Sequence, residues 1–502
     1  MSLPFPVLIQ TLAIPVLGGV LILVVPSRTG RHAGVIAITS LVYTTILLGL
    51  TAYGIHPEGM VLERYGLGPE VSLDLLADGL SLPIALVVNI ICTALAVYSV
   101  SYVKHRIEKI YPDAGTDIRA RYLKRFFFLY LFFPVGFMGV AFSTNLLSIY
   151  IFLELLTIIP LYFIMAQFGY SDFISRYRVA LICLFWGVAG ATLFLIGILL
   201  GYSEIHSFEI SHIPHLSGNP MAYGVIVLTL LGLFTKLAMV PLHVWMPWVH
   251  AEHPTCIAGL LAVYANIAVY IMVRVLVLPL PEEMSVFTWP LMGLALVTMV
   301  YGACLTLAQT DIKRFCACST ISQISYSVFG VGAMTALGIQ GGIFYFLSHI
   351  LGKAVLFSTA GMVVYVTGQR DMTKMGGLSG QLPTQMVLWM MAAMILSALP
   401  PTSGFVGKWL FFTGAFQRAS SHPAGIIMIV IAVLSTLLTL VYTFGAGFRI
   451  FFGQSAGGTG RIKKAPLSMA LPVLMLALLS LILGIYPEPV LTLLASVIQL
   501  GS

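Results

Sequence analysis

The sequence predicts an all-α membrane protein of about 14 transmembrane helices, and three observations predict it. The first is composition: of 502 residues 59% are hydrophobic and only 9% charged, with a mean hydropathy of +1.00. A soluble domain is about one quarter charged, so this chain could not cover its own surface with water-compatible groups. The second is that apolar runs of about 18 to 28 residues recur along the chain, each enough to cross roughly 30 Å of hydrocarbon as a helix. The third is that basic residues fall almost wholly on one side of the implied bundle, a pattern separate from the hydropathy that defines the runs. Continuous runs, in place of segments of about ten alternating residues, exclude a β-barrel.

The first run, 5–25, has no Lys or Arg before it, and Arg28 and Arg31 follow it. That is not the pattern of a cleavable signal, and it orients the first helix with its N-terminus outside. Runs at 34–55 and 79–103 complete an N-terminal unit, 1–124, which closes on the densest basic stretch, residues 104–125. Helices four to eight follow at 125–142, 145–168, 177–202, 221–242 and 255–279. Helices nine to thirteen lie at 286–308, 320–336, 338–366, 384–411 and 424–452. The last run, 467–499 within 453–502, is long and is expected to break near Pro487. Helices seven and twelve are expected to be broken as well: Pro241 and Pro247 follow Lys236, and Pro400 with Pro401 precedes Lys408. Proline frees backbone carbonyls, which a membrane helix tolerates only where protein or a water-filled cavity re-satisfies them. Two broken helices, each with a lysine beside the break, point to two inverted five-helix repeats, 125–279 (helices 4–8) and 286–452 (helices 9–13).

If the helices alternate, 19 of the 25 Lys and Arg residues reach one side, only Arg64, Arg274 and Arg418 the other, and three stay inside predicted spans. A single missed helix would scramble that split. The positive-inside rule puts the basic loops in the cytoplasm and both termini outside, for a multi-pass protein of the cell membrane. The formal charge of +7 therefore needs no nucleic-acid partner. Residues 104–125 serve topology and contact with anionic lipid, or else dock a cytoplasmic subunit.

Burying an ionisable group at the bilayer centre costs at least about 2.5–3.5 kcal/mol, so such groups are functional candidates by default. Four stand out: Glu154 in the fifth span, Lys236 in the seventh, Lys353 in the eleventh and Lys408 in the twelfth. His349 precedes Lys353 by one turn, so both project from the same helix face. Glu154 and Lys236 would each favour the charged form of the other, and a third group competing for the pairing would change how tightly the lysine holds its proton. That is the device a proton pump needs. The alternative is a static ion pair that only fixes helix packing.

Metal and redox chemistry find no support. Six cysteines, Cys92, Cys183, Cys256, Cys304, Cys316 and Cys318, sit mostly in or beside apolar spans, and the spacing of the last two is no metal clip. His243, His250 and His253 surround one end of helix seven, but only Glu252 could complete a ligand set and the order is not a zinc-protease pattern. Structural or proton-uptake roles fit them better, and His206, His212 and His215 carry no assignment. No Rossmann fingerprint or cluster motif is present, so no cofactor or metal is expected in this chain.

The segments "FLELLTIIPLYF", "TKLAMVPLHVWMPWVHAEHPT", "DIKRFCACSTISQISY", "SHILGKAVLF", "RDMTKMGGL", "PPTSGFVGKW" and, near residue 77, "ADGLSLP" together resemble the antiporter-like proton-translocating subunits. These occur in respiratory complex I, Mrp cation/proton antiporters, membrane-bound hydrogenases and related ferredoxin- or deazaflavin-linked complexes. The resemblance runs from about residue 70 to residue 450 with every motif in the expected order. It implies 14 helices, two inverted five-helix units and a central polar axis. By motif, Glu154 resembles the carboxylate at the mouth of the path, Lys236 its paired lysine, His349 and Lys353 the broken-helix relay, and Lys408 the exit residue.

Several departures matter. Asn266, eight residues before Arg274, stands where the family usually has a lysine, so the middle of the relay would need water helped by Tyr264 or Tyr270. Lys408 stands where the M-type complex I subunit usually has glutamate, which leans toward the Mrp D-type or hydrogenase-type relatives. Trp248 replaces a frequent aspartate. The chain stops after helix fourteen, which excludes the L-type subunit with its lateral helix.

The leading expectation is a proton- or sodium-translocating subunit of a redox-driven complex, with other antiporter-like and small membrane subunits beside it and peripheral redox subunits handling the electrons. The alternative is an Mrp-type cation/proton antiporter subunit without redox chemistry. An autonomous solute carrier would need a roomy pocket in place of a line of ionisable groups.

Overall fold

The computed structural model describes residues 6–26, 30–54, 59–66, 72–420, 422–453 and 464–499; among the predicted basic-side cations, Arg28, Arg461 and Lys463 lie outside them. The chain opens with α1 (Leu8–Val24) and α2 (Arg31–Gly54). One expectation needs correcting here. The chain is nearly, not wholly, helical, because β1 (Val61–Gly66) and β2 (Ser72–Ala77) pair antiparallel with Arg64 opposite Asp74. The hairpin has a job. Glu63 on β1 accepts hydrogen bonds from Leu8 N and Ile9 N, both at 2.9 Å, and so caps the open N-terminus of α1.

Next come α3 (Ser81–Ile110), α4 (Thr116–Tyr130), α5 (Phe132–Phe142) and α6 (Leu146–Leu156), which runs through a π turn at Thr157–Tyr162 into α7 (Phe163–Phe168). Pro160 lacks the N–H that an α-helical ladder requires, which accounts for the wide turn. The long α8 (Phe173–Ile205) leads to the first broken helix, α9 (Met221–Lys236) and α10 (Met246–Glu252). Then follow α11 (Thr255–Ile271), extended by a second π turn at Met272–Val277, the short α12 (Pro281–Ser285) and α13 (Thr288–Leu307). The order continues with α14 (Ile312–Gly332), α15 (Ala336–Thr367), the second broken helix α16 (Pro383–Ser397) and α17 (Ser403–Ala419), and α18 (Pro423–Phe451). The chain ends in α19 (Leu467–Ile485) and α20 (Glu488–Val497), separated at Pro487.

Among the described residues ten helices are long and apolar enough to cross a membrane. Their burial sorts them into layers. Every residue in the apolar window of α11 is inside the bundle, against 28% for α8 and for α18, whose outer faces present Ile, Leu, Val and Phe to the surroundings. The centre is α11, α14 and α15. α14 is buried at every residue but Arg314 yet rich in Ser, Thr and Cys, with Gln323 at its middle, so its hydropathy falls short of a span while its packing does not. It also begins at Ile312, capped by Asp311, which accepts from Lys313 N and Arg314 N at 2.8 and 3.0 Å. Lys313, expected in a loop, therefore lies on the first turn of this helix with no exposed surface. Arg274, counted on the outer side at the end of the run 255–279, sits in the π turn after α11 and makes a bidentate pair with Asp78 at 2.6 and 2.7 Å.

The two breaks share a backbone solution. Just after α9, Ala238 has φ 51° and Met239 N bonds Phe234 O at 3.1 Å; just after α16, Ala398 has φ 58° and Leu399 N bonds Met394 O at 3.0 Å. Side chains satisfy part of what each break frees: Trp245 Nε1 donates to Thr235 O at 2.9 Å, and Thr402 Oγ1 to Leu399 O at 2.7 Å.

Candidate functional site

Glu154 sits on the last turn of α6, directly before the π turn, and Lys236 is the last residue of α9. Lys236 Nζ lies 3.6 Å from Glu154 Oε1, with the lysine side chain 1% exposed and the carboxylate 12%. At that distance the two attract by roughly 4 kcal/mol before desolvation, with no direct hydrogen bond to lock them. The lysine instead donates to Tyr264 Oη at 3.0 Å and to Gly187 O at 3.4 Å, and Tyr264 Oη meets Thr157 Oγ1 at 2.8 Å. Lys236 thus has a neutral set of partners that persists if the carboxylate withdraws.

A separate polar contact on the helix that carries Tyr264 reaches α15. Asn266, two residues on in α11, donates to Ala262 O at 2.7 Å, which turns its Oδ1 toward His349 Nδ1 at 3.1 Å. An Asn here is thus a polar bridge between α11 and α15 where a lysine was the expectation. His349 and Lys353 are both completely buried on one face of α15. Lys353 Nζ donates to Cys316 O at 3.1 Å and to Ser319 Oγ, both on α14, while His349 Nε2 makes no hydrogen bond.

Lys408 is held differently. Its Nζ lies 3.7 Å from the centroid of the Tyr326 ring and 5.3 Å from that of Tyr345, and its one polar contact is Thr436 Oγ1 at 3.5 Å. Among the described residues no carboxylate pairs with it. Two aromatic faces stand in for a counter-ion. Tyr345 also lies parallel to His349, with centroids 6.4 Å apart and planes within 5°, so it touches both neighbours. Its hydroxyl donates to Gln323, whose amide donates in turn to Thr439 and Tyr442 at 2.9 and 2.7 Å. Glycine makes this closeness feasible: a Cβ at Gly407 would meet the Tyr345 backbone at 2.9 Å, and one at Gly341 would strike Phe411 N.

All five residues singled out by sequence therefore lie inside one bundle; Tyr264 contacts Lys236, Asn266 contacts His349, Tyr345 lies between His349 and Lys408, and Lys353 is tied to α14. Tyr270 does not join them, since its hydroxyl donates to Ala141 O at 2.6 Å beside Arg274. His250 and His253 are wholly buried without a hydrogen bond to either ring nitrogen. Glu252, their only acidic neighbour in sequence, turns instead to Ser171, accepting from its N–H at 2.6 Å and its hydroxyl at 2.7 Å. Among the described residues no trio of His, Cys, Asp or Glu is placed to hold a metal. Sequence reasoning missed Tyr326 and Tyr345, which read as ordinary core aromatics, and Lys313, whose ammonium caps His253 O and lies 3.7 Å over the Tyr170 ring.

Residues 143–439 match the family model described as NADH:quinone oxidoreductase/Mrp antiporter, transmembrane. The chain is 28% identical over 489 residues to the A-type subunit of the Na(+)/H(+) antiporter of Alkalihalophilus pseudofirmus, covering 92% of this chain but only 58% of that relative's length. It is 27% identical over 487 residues to the antiporter subunit mnhD2 of Staphylococcus aureus, covering 96% of this chain and 93% of that one. Its fold is like a chain of the Mrp complex from Dietzia sp. (TM-score 0.85, 21% identity, 99% and 97% of the two chains). It is also like a chain of respiratory complex I from Thermus thermophilus (TM-score 0.83, 23% identity, 99% and 100%).

Proposed function

Because the chain belongs to the NADH:quinone oxidoreductase/Mrp antiporter transmembrane family, we propose that it is an antiporter-like subunit that moves protons or sodium ions across the cell membrane within a larger complex. The observation that carries this reading is that five ionisable groups lie inside the bundle with polar or aromatic partners: Glu154 beside Lys236, Lys236 on Tyr264, His349 on Asn266, Lys353 on α14, and His349 and Lys408 on either side of Tyr345. Keeping five ionisable groups inside a membrane bundle has no packing advantage over apolar side chains of the same volume.

On this reading the chain crosses the membrane 14 times: the ten apolar helices are joined by α1, the two broken pairs and the polar helix α14. Residues 125–279 and 286–452 are two five-helix units of inverted topology, flanked by 1–124 and 453–502. The matching backbone of the two breaks supports that division. Both termini face outside and the basic loops face the cytoplasm. Glu154, the least enclosed of the five, senses a charge on a neighbouring membrane subunit. Its withdrawal changes the proton affinity of Lys236, and the charge passes by Asn266 and His349 to Lys353 and on to Lys408.

Two complexes fit. A redox-driven one would supply peripheral electron-carrying subunits, and the likeness to a complex I chain supports it. An Mrp-type antiporter would need none, and the match over 93% of a D-type relative favours it, as does the lysine at 408. Purifying the native complex and identifying the co-migrating subunits separates them: cluster-binding partners support the first, and antiporter subunits alone the second. The transport role is tested with Glu154→Gln combined with Lys408→Ala in vesicles holding that complex. Ion movement at the wild-type rate would reduce these charges to packing.

A further inference from the structure

At the end of the bundle that carries the basic loops, a cavity of about 490 Å³ opens between the end of α3, the 169–172 loop and the start of α8. Its walls hold three cations, Arg106, Lys109 and Arg176, against one carboxylate, Asp172. That carboxylate is already committed to capping α8, accepting from Ser175 N at 3.0 Å and Ser175 Oγ at 2.7 Å. Among the described residues none of the three cations has a carboxylate within ion-pair distance.

Arg176 is the anomaly. It is only 5% exposed; among the described residues its Nε makes no hydrogen bond, and besides the Tyr111 and Phe173 rings at 5.9 and 5.5 Å its one polar contact is a long 3.5 Å approach to Tyr111 Oη. Buried guanidinium groups are normally paired, because desolvating the charge without compensation costs several kcal/mol. Arg106 is satisfied only by two carbonyls, Phe168 O and Gly169 O, and by the Tyr170 ring at 4.2 Å. The cavity is thus a concave, aromatic-walled pocket with surplus positive charge and a preformed donor facing no acceptor. Its rim continues into two strongly exposed apolar residues at the start of α8, Phe173 (66%) and Ile174 (79%). Cationic walls beside an apolar rim at a helix end fit a lipid headgroup with its chains.

We propose that this cavity binds the phosphate of an anionic phospholipid, with Arg176 and Lys109 on the phosphate oxygens and Phe173 and Ile174 against the acyl chains. The lipid fixes the α3 end to the α8 start. Which leaflet supplies it rests on the orientation proposed above; the binding itself does not.

The test uses the purified complex in lipid nanodiscs of phosphatidylcholine alone or with phosphatidylglycerol, read as melting temperature and as lipid retained after delipidation. The wild type should retain phosphatidylglycerol over phosphatidylcholine and melt higher in its presence, and R176Q should lose both effects. K109Q, at an exposed position, guards against a folding failure of R176Q and should retain phosphatidylglycerol about five-fold less well. Equal protection by phosphatidylcholine, undiminished retention by both variants, or equal protection by inorganic phosphate in its place would overturn the proposal. None of these readouts depends on ion transport, so loss of the transport reading would leave this one standing.

Discussion

The two broken helices use one backbone device and place their charges on opposite sides of it. In the first, Lys236 stands five residues before Pro241; in the second, Lys408 stands seven after Pro401. The equivalent positions are Leu396 and Trp248, so each break has kept only one lysine. Their surroundings differ as much as their places. Lys236 faces a carboxylate at 3.6 Å, and Lys408 faces two tyrosine rings. A lysine with a movable counter-ion responds to that counter-ion's position. A lysine bedded on aromatic faces responds only to the arrival and departure of its own charge. The first is suited to switching and the second to holding, and this contrast can be broken experimentally.

The largest expected effect is at Lys236. Lys236→Met should reduce ion transport by the complex to the level of empty vesicles. It should also destabilise, because Glu154 is left buried and unpaired, a loss of about 3–5 kcal/mol. Adding Glu154→Gln should return most of that stability without returning transport, measured as melting temperature and vesicle flux on the same preparations. Lys408→Met should behave in the opposite sense. It too should impair transport, but with no carboxylate to strand it should leave the melting temperature unchanged or raise it. A stability loss as large as that of Lys236→Met would show that Lys408 has a counter-ion after all.

A smaller effect isolates the aromatic bed. Tyr326 places its ring 3.7 Å from Lys408 Nζ while, among the described residues, its own hydroxyl has no hydrogen-bond partner. Tyr326→Phe keeps the ring and should transport normally, whereas Tyr326→Leu should lower the transport rate by about 2- to 30-fold, the scale of a cation–π contact of about 0.5–2 kcal/mol. If Phe fails as badly as Leu, the hydroxyl matters and the holding role of the ring is wrong.

How much of this could be read from the sequence follows from what an isolated residue reveals. Glu154, Lys236, Lys353 and Lys408 are legible because a charge inside a long apolar run is costly and so stands out. Lys313 is equally buried but hidden, because the Ser, Thr, Cys and Gln of α14 lower its hydropathy and the helix then seems to start eight residues late. Arg274 reads as an unpaired cation at the outer end of a helix because its partner, Asp78, is 196 positions away. Tyr326 and Tyr345 are illegible for a different reason: in a buried helix an aromatic that packs and one that beds a cation have the same local pattern. The hairpin is short and sits between two strong helices, so nothing in the apolar pattern marks it. What sequence cannot supply is which helix face meets which, and the close approach at Gly407 decides that for Lys408.

The smallest effect concerns the device itself. Ala238 and Ala398 both adopt left-handed backbone angles, φ 51° and 58°, a conformation that costs an L-residue with a Cβ roughly 1–2 kcal/mol over glycine. Glycine gives back about 0.5–1 kcal/mol through the greater freedom of the unfolded chain. Ala238→Gly and Ala398→Gly should therefore each be neutral or stabilising by at most about 1 kcal/mol, while valine at either site should destabilise clearly because its branched Cβ cannot follow the turn. Melting temperatures of the four variants test this, and the sign matters more than the size. If the breaks are one device used twice, the two glycine variants shift the same way and so do the two valine variants. Opposite shifts at 238 and 398 would mean that the matching angles are held by unrelated surroundings, and the case for two equivalent five-helix units would lose its structural support.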